Sequence, residues 1–318
     1  MPASAYVNPK DYFTPLEWAG LTRRSQWKGF AVVIHCWAMI FSAMAVAVIW
    51  PNPLTIVLAI MIIGTRQLGL AILMHDAAHN CLHPNPQIND WIGDWLCGAP
   101  VGARVASYRK YHLKHHRYAQ QIEDPDLSLS APFPISRNSF WRKVVRDLTS
   151  QTFIKQRFAV LGSKLKKSDN RVNATQAFVG EAGRQKAFLL WNLGLFLFLS
   201  AMGAWWAFFV LWIVPMATWY PLATRVRNIA EHAMIAKGEA DPLRQARTTR
   251  AGPIERLFLA PYWVNYHCEH HMFMHLPCWS LPKAHRMIRA KNKLEGMLTA
   301  ANYFDVLSVA TGKSAPAA

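Results

Sequence analysis

Residues 54–79 read LTIVLAIMIIGTRQLGLAILMHDAAH, an apolar run broken only around Thr65-Arg66-Gln67 that passes without a turn signal into His75-Asp76-Ala77-Ala78-His79. As a helix, residues 54–74 are long enough to cross a hydrocarbon core about 30 Å thick. Histidines four apart on a helix share a face, so the end of this run presents two imidazoles to one point. Upstream, residues 30–50 form a second apolar run whose clearly polar members are His35 and Ser42, and Pro51-Asn52-Pro53 between the two runs is a tight hairpin.

Downstream, residues 187–223 are apolar again. One straight helix of that length would measure about 55 Å, so the segment must fold back. Met202-Gly203-Ala204 is the expected turn, with Trp205 and Trp206 at the far interface and Trp191 and Trp219 nearer the other. The expected fold is therefore all-α: four transmembrane helices, at about 30–50, 54–74, 187–202 and 205–223, arranged as two hairpins.

Charge orients these hairpins. The 318 residues carry 35 Lys+Arg against 18 Asp+Glu, a formal net charge of +17. Arg23, Arg24 and Lys28 precede the first hairpin and Arg104, Arg109 and Lys110 follow it; Arg184 and Lys186 precede the second, and Arg225 and Arg227 follow it. By the positive-inside rule every one of these flanks is cytoplasmic, and so are both termini and the regions 75–186 and 224–318. Nucleic-acid binding is excluded as the reason for the charge, because the cations are spread over juxtamembrane loops that would lie against anionic headgroups. No cleaved signal peptide is expected, and five cysteines without a CxxC, three of them in cytoplasmic segments, argue against disulfides. The chain reads as a single domain, 1–318. A helical cytoplasmic cap would be built from 75–186 and 224–318, with 138–186 a charged, helix-favouring part of it. Trp91, Ile92, Trp95 and Leu96 suit either an interfacial helix or a soluble helix packed under the site.

Two further histidine boxes fall in that cap: His112-Leu113-Lys114-His115-His116 and His267-Cys268-Glu269-His270-His271. With 13 His in the chain, composition alone yields HxxHH about 0.02 times. It occurs twice, so the boxes are a site. Imidazole suits Fe, Zn, Cu and Ni, and histidine number does not name the metal. Eight clustered histidines exceed the three or four ligands of one zinc, which makes a two-metal centre the economical reading. His232, in Asn228-Ile229-Ala230-Glu231-His232, is a ninth candidate with Asn228 one turn before it. Asp76, Glu231 and Glu269 sit inside the boxes, where they either accept the second ring N–H of a ligand or form ordinary helix-end ion pairs. Asp124 and Asp126 do the same or cap a turn. His83 continues the row of His75 and His79 as an outer-layer candidate, His275 is outer-layer or surface, His285 is surface, and His35 is a packed, hydrogen-bonded residue. Arg66, costly in lipid, should face the bundle interior or a cavity.

The three boxes in this order, the two hairpins, Asp124-Pro125-Asp126-Leu127 after box two, and Asn265-Tyr266-His267 through His271 ahead of Leu281-Pro282 resemble the membrane fatty acid desaturase superfamily over roughly residues 55–290. The resemblance implies a four-span helical protein with a cytoplasmic non-haem di-iron site that uses O2 and two electrons. It carries the iron-ligand role to His75, His79, His112, His115, His116, His232, His267, His270 and His271, with Asn228 acting through water. It implies a lipid or acyl-chain substrate and the removal of two hydrogens to form a carbon–carbon double bond. Hydroxylation or ketolation of a carotenoid or other lipid is the nearest alternative, because such enzymes share nearly the same boxes. Neither terminus has room for a haem-binding domain, so a separate electron donor of ferredoxin, rubredoxin or cytochrome b5 type is expected. His267 stands where cytochrome-fused front-end desaturases usually have Gln, which disfavours that subtype. A membrane zinc hydrolase would need fewer ligands, and a metal transporter would place its ligands inside the spans rather than beside them. The absence of an endoplasmic-reticulum retention signal suggests a prokaryotic inner membrane.

Overall fold

The computed structural model describes residues 7–157 and 185–312. The expected cap segment 138–186 is therefore described for its first twenty residues and again from 185, and Arg184 lies outside the described residues. The named elements are α1 (Pro15–Thr22), α2 (Lys28–Ile49), α3 (Pro53–Ala78), α4 (Val105–Tyr118), α5 (Arg137–Leu148), α6 (Lys186–Ala201), α7 (Trp205–His232), β1 (Arg247–Thr249), α8 (His267–Met272), α9 (Leu281–Ala290), β2 (Leu298–Ala300) and α10 (Tyr303–Ala310). Helices dominate, and among the described residues a three-residue parallel pair β1–β2 departs from an all-α chain.

Helices α2, α3 and α7 are long and apolar enough to cross a membrane. α6 has 16 residues and falls short of that length. The hairpin turns come where the breakers stand. Asn52 caps α3 by accepting from Leu54 N and Thr55 N, and Pro53 opens the helix with a φ already set for it. Between α6 and α7, Gly203 takes a left-handed φ of +73°, which a residue with a Cβ adopts only at a cost.

Two of the histidine-bearing helices run on from the apolar stretches. α3 continues to Ala78 and α7 to His232, so the first box and Glu231-His232 extend the apolar helices rather than beginning a loop. Residues 75–78 and 224–232 carry no Gly or Pro to stop the helix. α7 is not uniform: it contains a π-turn at Phe208–Ile213 and a non-helical residue at Thr218.

α3 is the axis of the fold. Nearly everything on it from Ile63 to Ala78 is buried. Each member of the polar triplet in mid-helix has a protein acceptor: Thr65 Oγ1 donates to Phe258 O at 2.6 Å, an Arg66 guanidinium N–H donates to Arg256 O at 2.6 Å, and Gln67 Nε2 donates to Trp212 O at 2.8 Å, while Arg66 Nε and Gln67 Oε1 are buried without a partner. Polar groups at membrane depth need such partners, and these bonds tie α3 to α7 and to Pro253–Phe258. Arg66 faces the bundle interior as expected, and His35 Nδ1 lies 3.1 Å from the Tyr262 hydroxyl. Close approach needs small residues here: a Cβ on Gly69 would sit 2.7 Å from the Tyr262 ring.

The segment Pro86–Gly98 packs one side against the protein and exposes the other. Ile92 is fully buried and Gly93 lies against Ala77, while Trp91 and Trp95 point outward and are exposed. All five cysteines are buried and free.

Candidate metal centre

The three boxes and His232 meet at one end of the bundle. α3 brings His75 and His79, α4 brings His112, His115 and His116, α7 brings His232, and α8 brings His267, His270 and His271. Their donor atoms form two adjoining sets. His75, His79, His112, His116 and His270 make one; His115, His232 and His271 make the other, extended through His232 to His267 and Glu231; within each group the donor atoms lie within 4.8 Å of one another. The Nε2 atoms point at each other: His112 to His116 at 2.9 Å, His116 to His270 at 3.0 Å, His115 to His271 at 3.3 Å and His232 to His267 at 2.8 Å.

This arrangement fits metal ions. The Nε2 atoms of His75 and His79 are buried without a protein hydrogen-bond partner, a costly condition for a polar atom unless something else binds it. Burial, and after it the neighbouring imidazoles, holds His112, His116, His267, His270 and His271 well below the ordinary imidazole range. Neutral imidazole is the form that offers a lone pair to a metal.

Outer groups hold several rings in place. Asp124 Oδ1 lies 2.8 Å from His115 Nδ1, and the same carboxylate accepts from Gln120 N at 2.9 Å and Asp126 N at 2.8 Å. A carboxylate on Nδ1 leaves Nε2 as the lone-pair end of the ring. Asp126 receives the Tyr111 hydroxyl and stands 3.8 Å from His115 Nδ1. Gln245 O is 3.3 Å from His232 Nδ1, and Glu231 Oε2 is 3.4 Å from His267 Nε2 while also pairing with Arg227. Asp76 is 3.5 Å from His75 Nδ1, and its closer contact is with Cys278 N at 2.8 Å, which fastens box one to the loop ahead of α9.

Other candidates sit elsewhere. Glu269 turns away from the imidazoles and binds Thr248 and His285, the latter at 2.5 Å, so its contacts are those of a brace between α8, β1 and α9. His285, expected at the surface, is half-buried by that bond. His83 accepts from Asn85 N at 3.0 Å and packs on Phe30, apart from both sets. His275 is exposed. Asn228 lies one turn before His232 and is half-buried.

Two arginines that the sequence did not single out for the site end the histidine-bearing helices. Arg109, from α4, donates to Ala78 O at 2.8 Å, Ala77 O at 3.0 Å and Asn80 Oδ1 at 3.1 Å, and pairs with Asp90. Arg247, from β1, donates to Ala230 O at 3.1 Å and Ala233 O at 3.0 Å. A cation at a helix C-terminus satisfies the last carbonyls and the dipole together, here directly beside His79 and His232. Tyr108 was also missed: its ring stacks on His112 with centroids 5.1 Å apart. Box three is positioned from β1, where Thr249 N donates to Asn265 O at 3.0 Å and Cys268 N to Thr248 Oγ1 at 3.2 Å. The approach to it passes Tyr262 and Trp263, consecutive non-glycine residues with φ of 51° and 57°, a strained pair locked by burial of the Tyr262 ring.

Apolar helices of membrane-spanning length, with histidines at the ends of two of them closing on two adjoining imidazole sets, define a membrane protein with a candidate metal centre. The fatty acid desaturase family model matches residues 49–300, and the chain belongs to that family. It is 27% identical over 245 residues to dihydrorhizobitoxine desaturase of Bradyrhizobium elkanii, covering 72% of this chain and 66% of that protein. It is 26% identical to the human sphingolipid delta(4)-desaturase/C4-monooxygenase DES2, covering 67% of this chain and 59% of that protein. Beta-carotene ketolase of Paracoccus sp. (strain PC1) is 22% identical over 278 residues, covering 80% of this chain and 90% of its own length. The chain thus spans about two thirds or less of the first two relatives.

Proposed function

We propose that this chain is a membrane-bound, non-haem di-iron lipid desaturase that inserts a carbon–carbon double bond into an acyl chain. The observation that carries the reading is the pair of adjoining imidazole sets at the end of apolar helices. An unactivated C–H bond offers no acidic proton and no leaving group, so acid–base side chains alone cannot attack it. Iron bound there would supply the O2-derived oxidant that such a bond needs; zinc has no redox chemistry. The balance is two hydrogens from adjacent substrate carbons, two electrons and two protons delivered to one O2, giving the alkene and two waters.

The chain's own contribution is positioning. His75, His79, His112, His116 and His270 would hold one ion, and His115, His232, His267 and His271 the other, with Asn228 contributing through water. Asp124 fixes the His115 ring by its Nδ1, and Arg109 and Arg247 fix the helix ends that carry His79 and His232. The nearly complete burial of the imidazoles keeps bulk water from the reacting carbon. α6 completes a fourth span in this reading, with the site and both termini on the cytoplasmic side of a prokaryotic inner membrane, and a separate protein supplies the electrons. The apolar groove of about 460 Å³ formed by Phe41, Trp95 and α6 residues such as Trp191 contains none of the nine histidines, so we give it no part in the reaction.

A second reading, oxygen insertion by a hydroxylase or ketolase, is favoured by one observation: the match to the ketolase extends over 90% of that protein's length. Mass spectrometry of total lipids and pigments from a host expressing the chain, set against the same host expressing His270→Ala, separates the two. Acyl species lighter by two hydrogens, present only with the intact site, support desaturation. Products heavier by oxygen move the assignment to the second reading, and an unchanged profile with a competent electron donor rejects both.

A further inference from the structure

We propose that the outer face of α4 is the docking surface for an acidic electron-carrier protein, an inference that rests on the two-electron, O2-dependent reading above. α4 is a wall one helix thick. Its inner face carries His112, His115 and His116, all buried, and its outer face carries Lys110, Lys114 and Arg117, all exposed.

Several other arginines are already matched by carboxylates. Arg104, Arg109, Arg225 and Arg227 are matched by Asp94, Asp90, Asp147 and Glu231. Lys110, Lys114 and Arg117 form no ion pair among the described residues. Between and beside them Tyr111, Leu113 and Ile122 are 43%, 42% and 77% exposed. A stripe of cations without ion pairs, flanked by exposed apolar side chains, is the complement of an acidic protein with an apolar contact patch, where charge steers the encounter and apolar contact holds it. Electron entry here is short: the Tyr111 hydroxyl binds Asp126, Asp126 N donates to Asp124, and Asp124 holds His115. A carrier seated on α4 is thus separated from the metal ligands by the thickness of one helix. Each turnover would take two single-electron transfers, oxidising two reduced carriers.

The test uses the full chain in phosphatidylcholine nanodiscs and an acidic [2Fe–2S] ferredoxin with its reductase. Lys110→Glu, Lys114→Glu and Arg117→Glu combined should raise the ferredoxin Kd roughly tenfold or more at low salt. The neutral set Lys110→Gln, Lys114→Gln and Arg117→Gln should fall between. The comparator reverses Lys283, Arg286 and Arg289, exposed on α9 and equal in charge, and should change Kd by less than about threefold. In iron-loaded protein the rate of ferredoxin oxidation should follow the Kd, while reduction by dithionite stays within about twofold, showing that the centre itself is intact. Equal effects from the α4 and α9 sets reduce the attraction to bulk net charge and overturn the proposal. A ferredoxin affinity untouched by the α4 reversals also overturns it and returns that face to the anionic leaflet. If the unmodified iron-loaded chain accepts electrons from neither ferredoxin nor dithionite, the reading beneath the proposal fails, and the docking face with it.

Discussion

Asp124 is the residue whose loss should separate the two imidazole sets. Its carboxylate makes three hydrogen bonds, with His115 Nδ1 at 2.8 Å, Gln120 N at 2.9 Å and Asp126 N at 2.8 Å, and the residue is 6% exposed. In Asp124→Asn the remaining carbonyl oxygen can keep the His115 and Asp126 bonds, but the new NH2 then faces Gln120 N–H, donor against donor. That leaves one buried backbone N–H unsatisfied, at about 1–3 kcal/mol, and the His115 bond is no longer charge-assisted. Asp124→Ala loses both backbone acceptors and should cost roughly twice as much. The neutral bond that remains holds the His115 ring less firmly, which should weaken metal binding by the set containing His115, His232 and His271 by about 10–100-fold. The set containing His75, His79, His112, His116 and His270 keeps its own contacts. Chelator titration followed by mass-spectrometric metal analysis should therefore show biphasic loss in Asp124→Asn, one ion leaving early and one late. A single-phase curve that overlays the unmodified protein, or early loss of both ions together, would refute the reasoning.

Four more outcomes follow from the geometry. Arg109→Ala removes the cap from the His79 end of α3 and leaves Asp90 unpaired; it should lower stability by about 2–4 kcal/mol, read as a fall in thermal midpoint in detergent, and Arg109→Lys should not restore it because one ammonium cannot reach the same fork of acceptors. Gly29→Ala places a methyl 2.1 Å from Leu82 O, so backbone must move; a loss of about 1–3 kcal/mol is expected, and an unchanged midpoint would show that α2 is free to shift. In metal-free protein the buried His112, His116, His267, His270 and His271 resist protons that the unfolded chain accepts near 6.5. The unfolded state then binds more protons as pH falls, so stability present above pH 6.5 should drain away below it, and metal loading should delay that loss. His79→Ala and His232→Ala should each remove about one ion per chain, from different sets, and the double substitution should remove both.

Much of this was legible because the period of an α-helix is short. HxxxH and HxxHH put ligands on one face whatever the rest of the chain does, and Pro51-Asn52-Pro53 and Gly203 fix hairpin turns by local chemistry. What escaped depends on contacts far apart in sequence. Arg109 and Arg225 read as cations facing headgroups, whereas the fold gives them Asp90 and Asp147, 19 and 78 residues away. Arg247 sits in a polar stretch that reads as loop, because a three-residue strand is too short to show its alternation. Glu269 lies between His267 and His270, and helix spacing alone cannot say that it points at His285 rather than at a ligand.

The central claim is that these nine histidines hold two irons. Protein purified from iron-replete cells under argon, analysed for metals and by Mössbauer spectroscopy after loading with 57Fe, tests it directly. Two irons per chain, in two resolved sites that both disappear in the His79→Ala and His232→Ala double variant, are predicted. Stoichiometric zinc in their place, or a single iron site, would contradict the account.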